Sequence, residues 1–280
     1  MSSHYTQEMP PVDVGATVIA NLRLSGDYNV LTLDAAEVGA RTAPGQFVMV
    51  KPATGDYFLR RPFSVFEVLR DDAGQPTAIS ILNKKAGRTT NRLYELQPGD
   101  RVHCLGPLGK PFTPATPPTQ AWMVAGGVGL APFATLAQAL AAAGTPATLF
   151  YGARSDKELF YLEFFERLGV RLVLSTEDGS RGTHGRVTVP LEEALAALPG
   201  PGAAMLYACG PEPMLAAVAA LAERYGQPSE VSVERVMGCG LGGCYSCVIP
   251  VRHGDEHAHL VRSCITGPVF AGDEIVWDQV

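Results

Sequence analysis

Charge is scarce in this chain: 18% of its 280 residues are Asp, Glu, Lys or Arg, and no long basic run relieves a formal net charge of -6. That excludes a nucleic-acid surface, and an anionic membrane would repel the protein. No secretory leader is expected, because MSSHYTQEMPPVDVG has neither the basic start nor the apolar stretch such a signal needs. A cytoplasmic location is expected. There is no internal repeat, no low-complexity tract and no disulfide framework. Of six cysteines four fall in one motif, while Cys104 and Cys209 lie apart in apolar contexts. Charge vanishes entirely over residues 121–153, a length that could span a bilayer. Gly126, Gly127, Gly129, Pro132, Gly144 and Pro146 interrupt it, so strand, tight turn, helix and strand is the expected reading.

What is present leaves room for two domains and a small module, since 46% of the residues are hydrophobic. Short strands come first: ATVIANLRL, NVLTLD, QFVMVK, FSVFEVL, AISILN and DRVHCL, parted by turn signals such as Ser25-Gly26-Asp27, Pro44-Gly45 and Pro98-Gly99-Asp100. Six such strands predict a small antiparallel barrel, with a short helix over 91–96 before the last. Residues 111–119, rich in proline, read as the interdomain linker. WMVAGG, ATLFYG, RLVLST and AMLYACG then alternate with helices expected over 133–142, 158–168, 191–198 and 212–224, the pattern of a doubly wound parallel sheet. The expected organisation is a barrel domain over 1–115, a nucleotide-binding domain over 116–230 and a small module over 231–280.

Chemistry concentrates in three places. In the last module Cys239, Cys244, Cys247 and Cys264 give C-x4-C-x2-C…C, the plant-type ligand spacing for a 2Fe-2S cluster, with glycines that let the backbone wrap closely. A four-cysteine zinc site is the rival, although zinc favours two close ligand pairs. In the second domain Gly126, Gly127 and Gly129 follow the first strand, where backbone N–H groups can hold a pyrophosphate, though Pro132 replaces the third glycine of the usual fingerprint. Cys209-Gly210-Pro211 ends a later strand and should face the same crevice. A tight turn without ligand, and a merely buried cysteine, are the plainer alternatives. In the barrel, Arg60-Arg61-Pro62-Phe63-Ser64 sets cations beside a hydroxyl, as a flavin needs, or is a strand end with solvated arginines.

RPFS, the GPLG of residues 106–109, GGVGLAP, YGARS, residues 176–180 (TEDGS) and CGPEPM occur in the order of the ferredoxin reductase superfamily. With MGCGLGGCYSC and CITGPVF added, the chain resembles the electron-transfer subunits of NAD-linked, two-subunit dihydroorotate dehydrogenases. That resemblance implies FAD in the barrel, NAD(H) in the second domain and one 2Fe-2S cluster. It carries flavin contacts onto Arg61, Pro62, Phe63, Ser64, Leu82, Asn83, Lys84, Thr89 and Thr90, with two departures. The family usually has Gly-Thr at 89–90, and an aromatic residue is common at 83. Cys209 would stand at the nicotinamide. Glu177 and Asp178 would read the adenosine ribose and favour NADH over NADPH, with Arg181 nearby opposing that. The gap of 16 residues from Cys247 to Cys264 should form a surface hairpin, its histidines 253, 257 and 259 solvated. The implied partner is an FMN-containing dihydroorotate dehydrogenase catalytic subunit of pyrimidine biosynthesis, two of each chain forming a heterotetramer, docked near Leu241 and Tyr245. Subunits of a hydrogenase, of a sulfide or sulfite enzyme, or of an NADH-ferredoxin-NADP oxidoreductase share these motifs. A zinc-stabilised adaptor without turnover is the alternative from another class.

Overall fold

The computed structural model describes residues 10–254 and 257–280, so most of the N-terminal stretch judged above for a secretory signal lies outside the described residues. Twelve residues of alternating exposure open the chain as β1 (Val12–Arg23), followed by β2 (Tyr28–Asp34), α1 (Ala36–Arg41), β3 (Phe47–Pro52), β4 (Arg61–Arg70), β5 (Pro76–Lys84), α2 (Arg88–Glu95) and β6 (Arg101–Leu108). These strands close into a barrel of order β1-β2-β5-β4-β3-β6, in which every pairing is antiparallel. Because side chains alternate along a strand, Leu31, Leu33, Ile79, Ile81, Val48, Val50 and Val102 meet inside. Leu93 and Leu96, from α2 and the residue that ends it, plug one end of that core. The helix α1, hidden in sequence by its brevity, covers the β5 side with Val38 and Gly39 buried.

The second unit adds β7 (Gln120–Gly126), α3 (Phe133–Ala142), β8 (Ala147–Ala153), α4 (Leu162–Arg167), β9 (Arg171–Thr176), β10 (Thr183–His184), α5 (Thr188–Ala196), β11 (Ala204–Cys209), α6 (Glu212–Arg224) and β12 (Ser229–Ser232). The chain closes with β13 (Val248–Val251), β14 (His259–Arg262), α7 (Ser263–Thr266) and β15 (Val269–Ala271). Seven strands form one sheet, β10-β9-β8-β7-β11-β12-β15, parallel except for the last. The expected domain boundary at 230/231 thus falls within β12, and the C-terminal segment returns to this sheet as its antiparallel edge. The helix expected over 158–168 is shorter: Tyr161, at φ 59°, breaks it, and α4 begins one residue later.

The proline-rich linker is a strap rather than a loose tether. Phe112 is buried against Phe133 and Tyr207, whose hydroxyl donates to the Thr113 carbonyl at 2.7 Å and accepts from Ala115 N–H at 2.7 Å. Glu230 accepts from Thr113 N–H at 2.9 Å. The C-terminal hairpin β13-β14 forms as expected, with His253 and His259 on it exposed and His253 Nδ1 3.2 Å from Glu274. Among the described residues no helix is long and apolar enough to cross a membrane.

Candidate functional site

Two crevices and one loop share the seam between barrel and sheet. The larger crevice, about 610 Å³, opens beyond the carboxyl ends of β7, β8 and β11, where ligands of parallel sheets bind. Gly126, Gly127, Gly210 and Pro211 line it, together with Arg154, Glu177, Arg186 and Met214. Gly129 does not line it but makes it possible. A Cβ there would run into the Cys209 carbonyl, so only glycine lets the turn after β7 lie against the turn after β11. The turn itself is a single 3-10 turn over Gly127–Leu130, after which α3 starts behind Pro132. Of the two carboxylates after β9, Glu177 faces the crevice. Asp178 is turned aside, its Oδ1 accepting from Ser180 N–H at 2.9 Å and Ser180 hydroxyl at 2.6 Å. Arg154 pairs with Glu158 at the crevice wall.

The smaller crevice, about 340 Å³, lies between the outer face of β4 and β5 and the end of β12. Pro62, Phe63, Ser64, Leu82 and Lys84 line it from the barrel, and Cys209, Ser232, Glu234, Arg235 and Met237 from the sheet. Apolar walls with a hydroxyl, an ammonium and a guanidinium at the rim fit an aromatic ring system whose edge takes hydrogen bonds. Nε of Arg235, buried and without a partner among the described residues, is a donor left for such a ligand. Arg61, Asn83, Thr89 and Thr90 are not among the lining residues. Arg61 is exposed on the strand before Pro62, and Thr89 and Thr90 sit in the first turn of α2. Asn83 lies between two lining residues of one strand, so the pleat turns it to the opposite face, into the barrel.

Cys209 is buried, and desolvation pushes its thiol well above the usual range, with the Glu234 carboxylate adding to this and Ser232 opposing it. Burial of this kind favours the thiol over the thiolate, the form in which a cysteine is nucleophilic. Burial also holds the Glu234 carboxyl above the ordinary carboxylate range, against the pull of Lys84. Sequence reasoning missed Glu234, Arg235 and Met237. The available signal was position: they follow β12, the parallel neighbour of the strand that ends in Cys209.

The cysteine loop closes the seam. Cys247 and Cys264 are buried beside Phe47, Met49, Leu105, Leu108 and Met237, whereas Cys244 is exposed. Positive φ at Gly240 and Gly242 wraps the loop. A Cβ on Gly240 would press on Met49 of the barrel at 2.6 Å, and one on Gly242 on Ile265 at 2.8 Å. Cys239 Sγ accepts from Leu241 N–H at 3.3 Å, and Cys244 Sγ lies 3.2 Å from Ser246 Oγ. Among the described residues no three His, Cys, Asp or Glu side chains converge as one metal ion would require. Hydrogen bonding by Ser246 draws the Cys244 thiol down to about 6, and burial pushes that of Cys264 up to about 12. Leu241 and Tyr245 stand 55% and 63% exposed beside them, with Arg262 over the Tyr245 ring.

Comparison with known proteins agrees with this geometry. Residues 234–276 match the model of the iron-sulfur cluster binding domain of dihydroorotate dehydrogenase B, and residues 123–220 that of an oxidoreductase NAD-binding domain. The dihydroorotate dehydrogenase B (NAD(+)) electron transfer subunit of Geobacillus kaustophilus is 40% identical over 263 residues, covering 92% of this chain and 96% of its own. The like-named subunit of Desulforamulus reducens is 34% identical, covering 94% and 98%. Among solved structures, that of an NADH-dependent reduced ferredoxin-NADP oxidoreductase superposes with TM-score 0.81 at 26% identity, over 95% of this chain and 91% of that one. A ferredoxin NADP+ reductase from Neisseria gonorrhoeae with bound FAD and NADP shares the fold at TM-score 0.62 and 18% identity, over 76% and 92%.

Proposed function

This chain belongs to the family of dihydroorotate dehydrogenase B (NAD+) electron-transfer subunits, and from that premise we propose how its three sites work together. It is an oxidoreductase subunit that carries electrons among NAD(H), flavin and a 2Fe-2S centre. FAD, when bound, supplies the exchange between the two-electron chemistry of nicotinamide and the one-electron chemistry of the cluster. The larger crevice takes the dinucleotide, with Gly126, Gly127, Gly210 and Pro211 letting the backbone approach the pyrophosphate. Glu177, rather than Asp178, is the carboxylate placed to accept ribose hydroxyls and repel a 2′-phosphate, which favours NADH.

The smaller crevice takes the flavin ring. Ser64 and Arg235 supply donors at its edge, and Cys209 and Ser232 shape the wall against which the nicotinamide is stacked. The observation that carries the reading is the sharing of walls. Lys84, Val128 and Glu234 line both crevices, and Met237 lines the smaller one while packing on Cys247 and Cys264. Shared walls of this kind bring the three sites into one continuous seam.

An electron-transfer subunit serves a catalytic partner chain. We propose an FMN-containing dihydroorotate dehydrogenase subunit, two of each chain assembling, docked over Leu241 and Tyr245 in the cytoplasm. The likeness to the ferredoxin-NADP oxidoreductase structure supports one second reading, a paralogous subunit with a different partner. The test is to assay the isolated full chain for NADH-dependent dye reduction and dihydroorotate oxidation, then add the candidate partner. Dye reduction alone, with dihydroorotate-dependent NAD+ reduction only in the mixture, is expected. Dihydroorotate turnover by the isolated chain would overturn the relay, and failure of coupling at full cofactor loading would transfer the assignment to the paralogous reading.

A further inference from the structure

The plugged end of the barrel holds a polar chain that the electron path does not use. Asn29 and Asn83 are both fully buried and directly opposite each other on β2 and β5. Asn83 Nδ2 donates to Asn29 Oδ1 at 2.8 Å, and Asn29 Nδ2 donates in turn to Asn21 Oδ1 at 2.7 Å. Both ends of this chain grip α2. Asn21 Nδ2 donates to the carbonyls of Tyr94 at 3.0 Å and Leu96 at 2.7 Å, and Asn83 Nδ2 to the carbonyl of Thr90 at 3.0 Å. The carbonyls at a helix C-terminus have no partner within the helix, so Asn21 satisfies groups that burial would otherwise penalise.

At the other end of α2 the turn is set by the same helix. Thr90 Oγ1 accepts from the N–H groups of Ala86 at 2.8 Å and Gly87 at 3.0 Å, and Ala86 lines the smaller crevice. Three amides in series therefore run from the barrel wall to the residue that shapes this turn.

We propose that Asn21, Asn29 and Asn83 are positioning residues, a buried amide relay that holds the turn over 86–90, whose Ala86 lines the smaller crevice, for the part of FAD that extends beyond the ring. This rests on the flavin reading above. It gives Asn83 a role behind the site, in place of direct contact with the ring. Three wells of hydrogen bonding fix the angle of α2 more sharply than the apolar plug of Leu93 and Leu96, because apolar contact is non-directional whereas an amide bond is aligned. The relay also leaves Asn83 Oδ1 buried without a donor among the described residues, so it is complete in one direction only.

The test compares FAD with riboflavin, which has the same ring and no phosphate, titrated into full-length, flavin-stripped chain. Replacing Asn29, which touches neither α2 nor a crevice, by Leu should weaken FAD about tenfold, the worth of about one hydrogen bond, and leave riboflavin within about twofold. Equal losses for both ligands would mean general damage to the barrel, and no loss for either would mean an inert network; each overturns the proposal. If Asn29→Leu does not fold, Asn83→Leu, which cuts the ties to both Asn29 and Thr90, is judged by the same ratio. Thr90→Val separates the two claims. If it weakens FAD while the asparagine variants do not, the relay falls and the flavin site stands. If wild-type chain takes up no FAD, both fall.

Discussion

Cysteine is used in two opposite ways here, one within the core and one within the loop. Cys104 and Cys209 are buried on strands with their thiols pushed up, Cys104 to about 12, by desolvation. Cys239 and Cys244 sit on a glycine-wrapped loop where Ser246 stabilises the Cys244 thiolate. The same functional group is a small apolar wall in one setting and, in the function proposed above, a cluster ligand in the other. What separates them is the backbone that carries them. A strand in a sheet aims side chains at alternate faces, whereas positive φ at Gly240 and Gly242 lets successive thiols converge.

The sharpest way to break that comparison is to remove the loop thiols. Cys→Ala at 239, 244, 247 or 264 should abolish bound iron and sulfide, by metal analysis, while NADH still bleaches the flavin. Zinc without iron in anaerobically purified wild-type protein would contradict the assignment. Next in size is Gly129→Ala, which forces a methyl into the Cys209 carbonyl. Overpacking of this kind costs about 1–3 kcal/mol, so urea unfolding should shift accordingly and NADH affinity fall, with iron content unchanged. Smaller is Cys209→Ala, expected to leave flavin and iron at wild-type levels and slow flavin reduction by about tenfold in stopped flow through looser nicotinamide placement.

The smallest effect concerns Glu234, whose carboxyl helps to keep the Cys209 thiol protonated. Because the folded chain binds this proton more tightly than the unfolded chain, its contribution to stability declines as pH rises from the ordinary carboxylate range through the raised folded value. Glu234→Gln removes that decline. Melting curves of the two proteins should therefore diverge in favour of the variant as pH increases, and parallel curves would contradict the desolvated carboxyl.

Much of this was legible in sequence because local rules and the fold agree. The helices over Phe133–Ala142 and Glu212–Arg224 begin behind Pro132 and Pro211, and all six expected barrel strands form between their turn signals. The glycine turns and the cysteine spacing marked two of the three sites. Long-range placement was not legible. Nothing near Val269 announces that it pairs with Ser232 to finish the sheet. The choice of Glu177 over Asp178 depends on a hydrogen bond to Ser180, and the turning of Asn83 into the barrel depends on strand register. Glu234 looks like any charged residue until β12 is laid beside β11.

The strap around Tyr207 bears on how such chains can be recombined. Its hydroxyl belongs to the sheet but grips backbone from the segment leaving the barrel, and with the Glu230 carboxylate it fits the two halves to each other. A chimera that joins this barrel to a foreign nucleotide unit inherits the crevices only if it also imports a phenol at that place. Grafts cut at the prolines, the obvious seam in the sequence, would part the lock from its key.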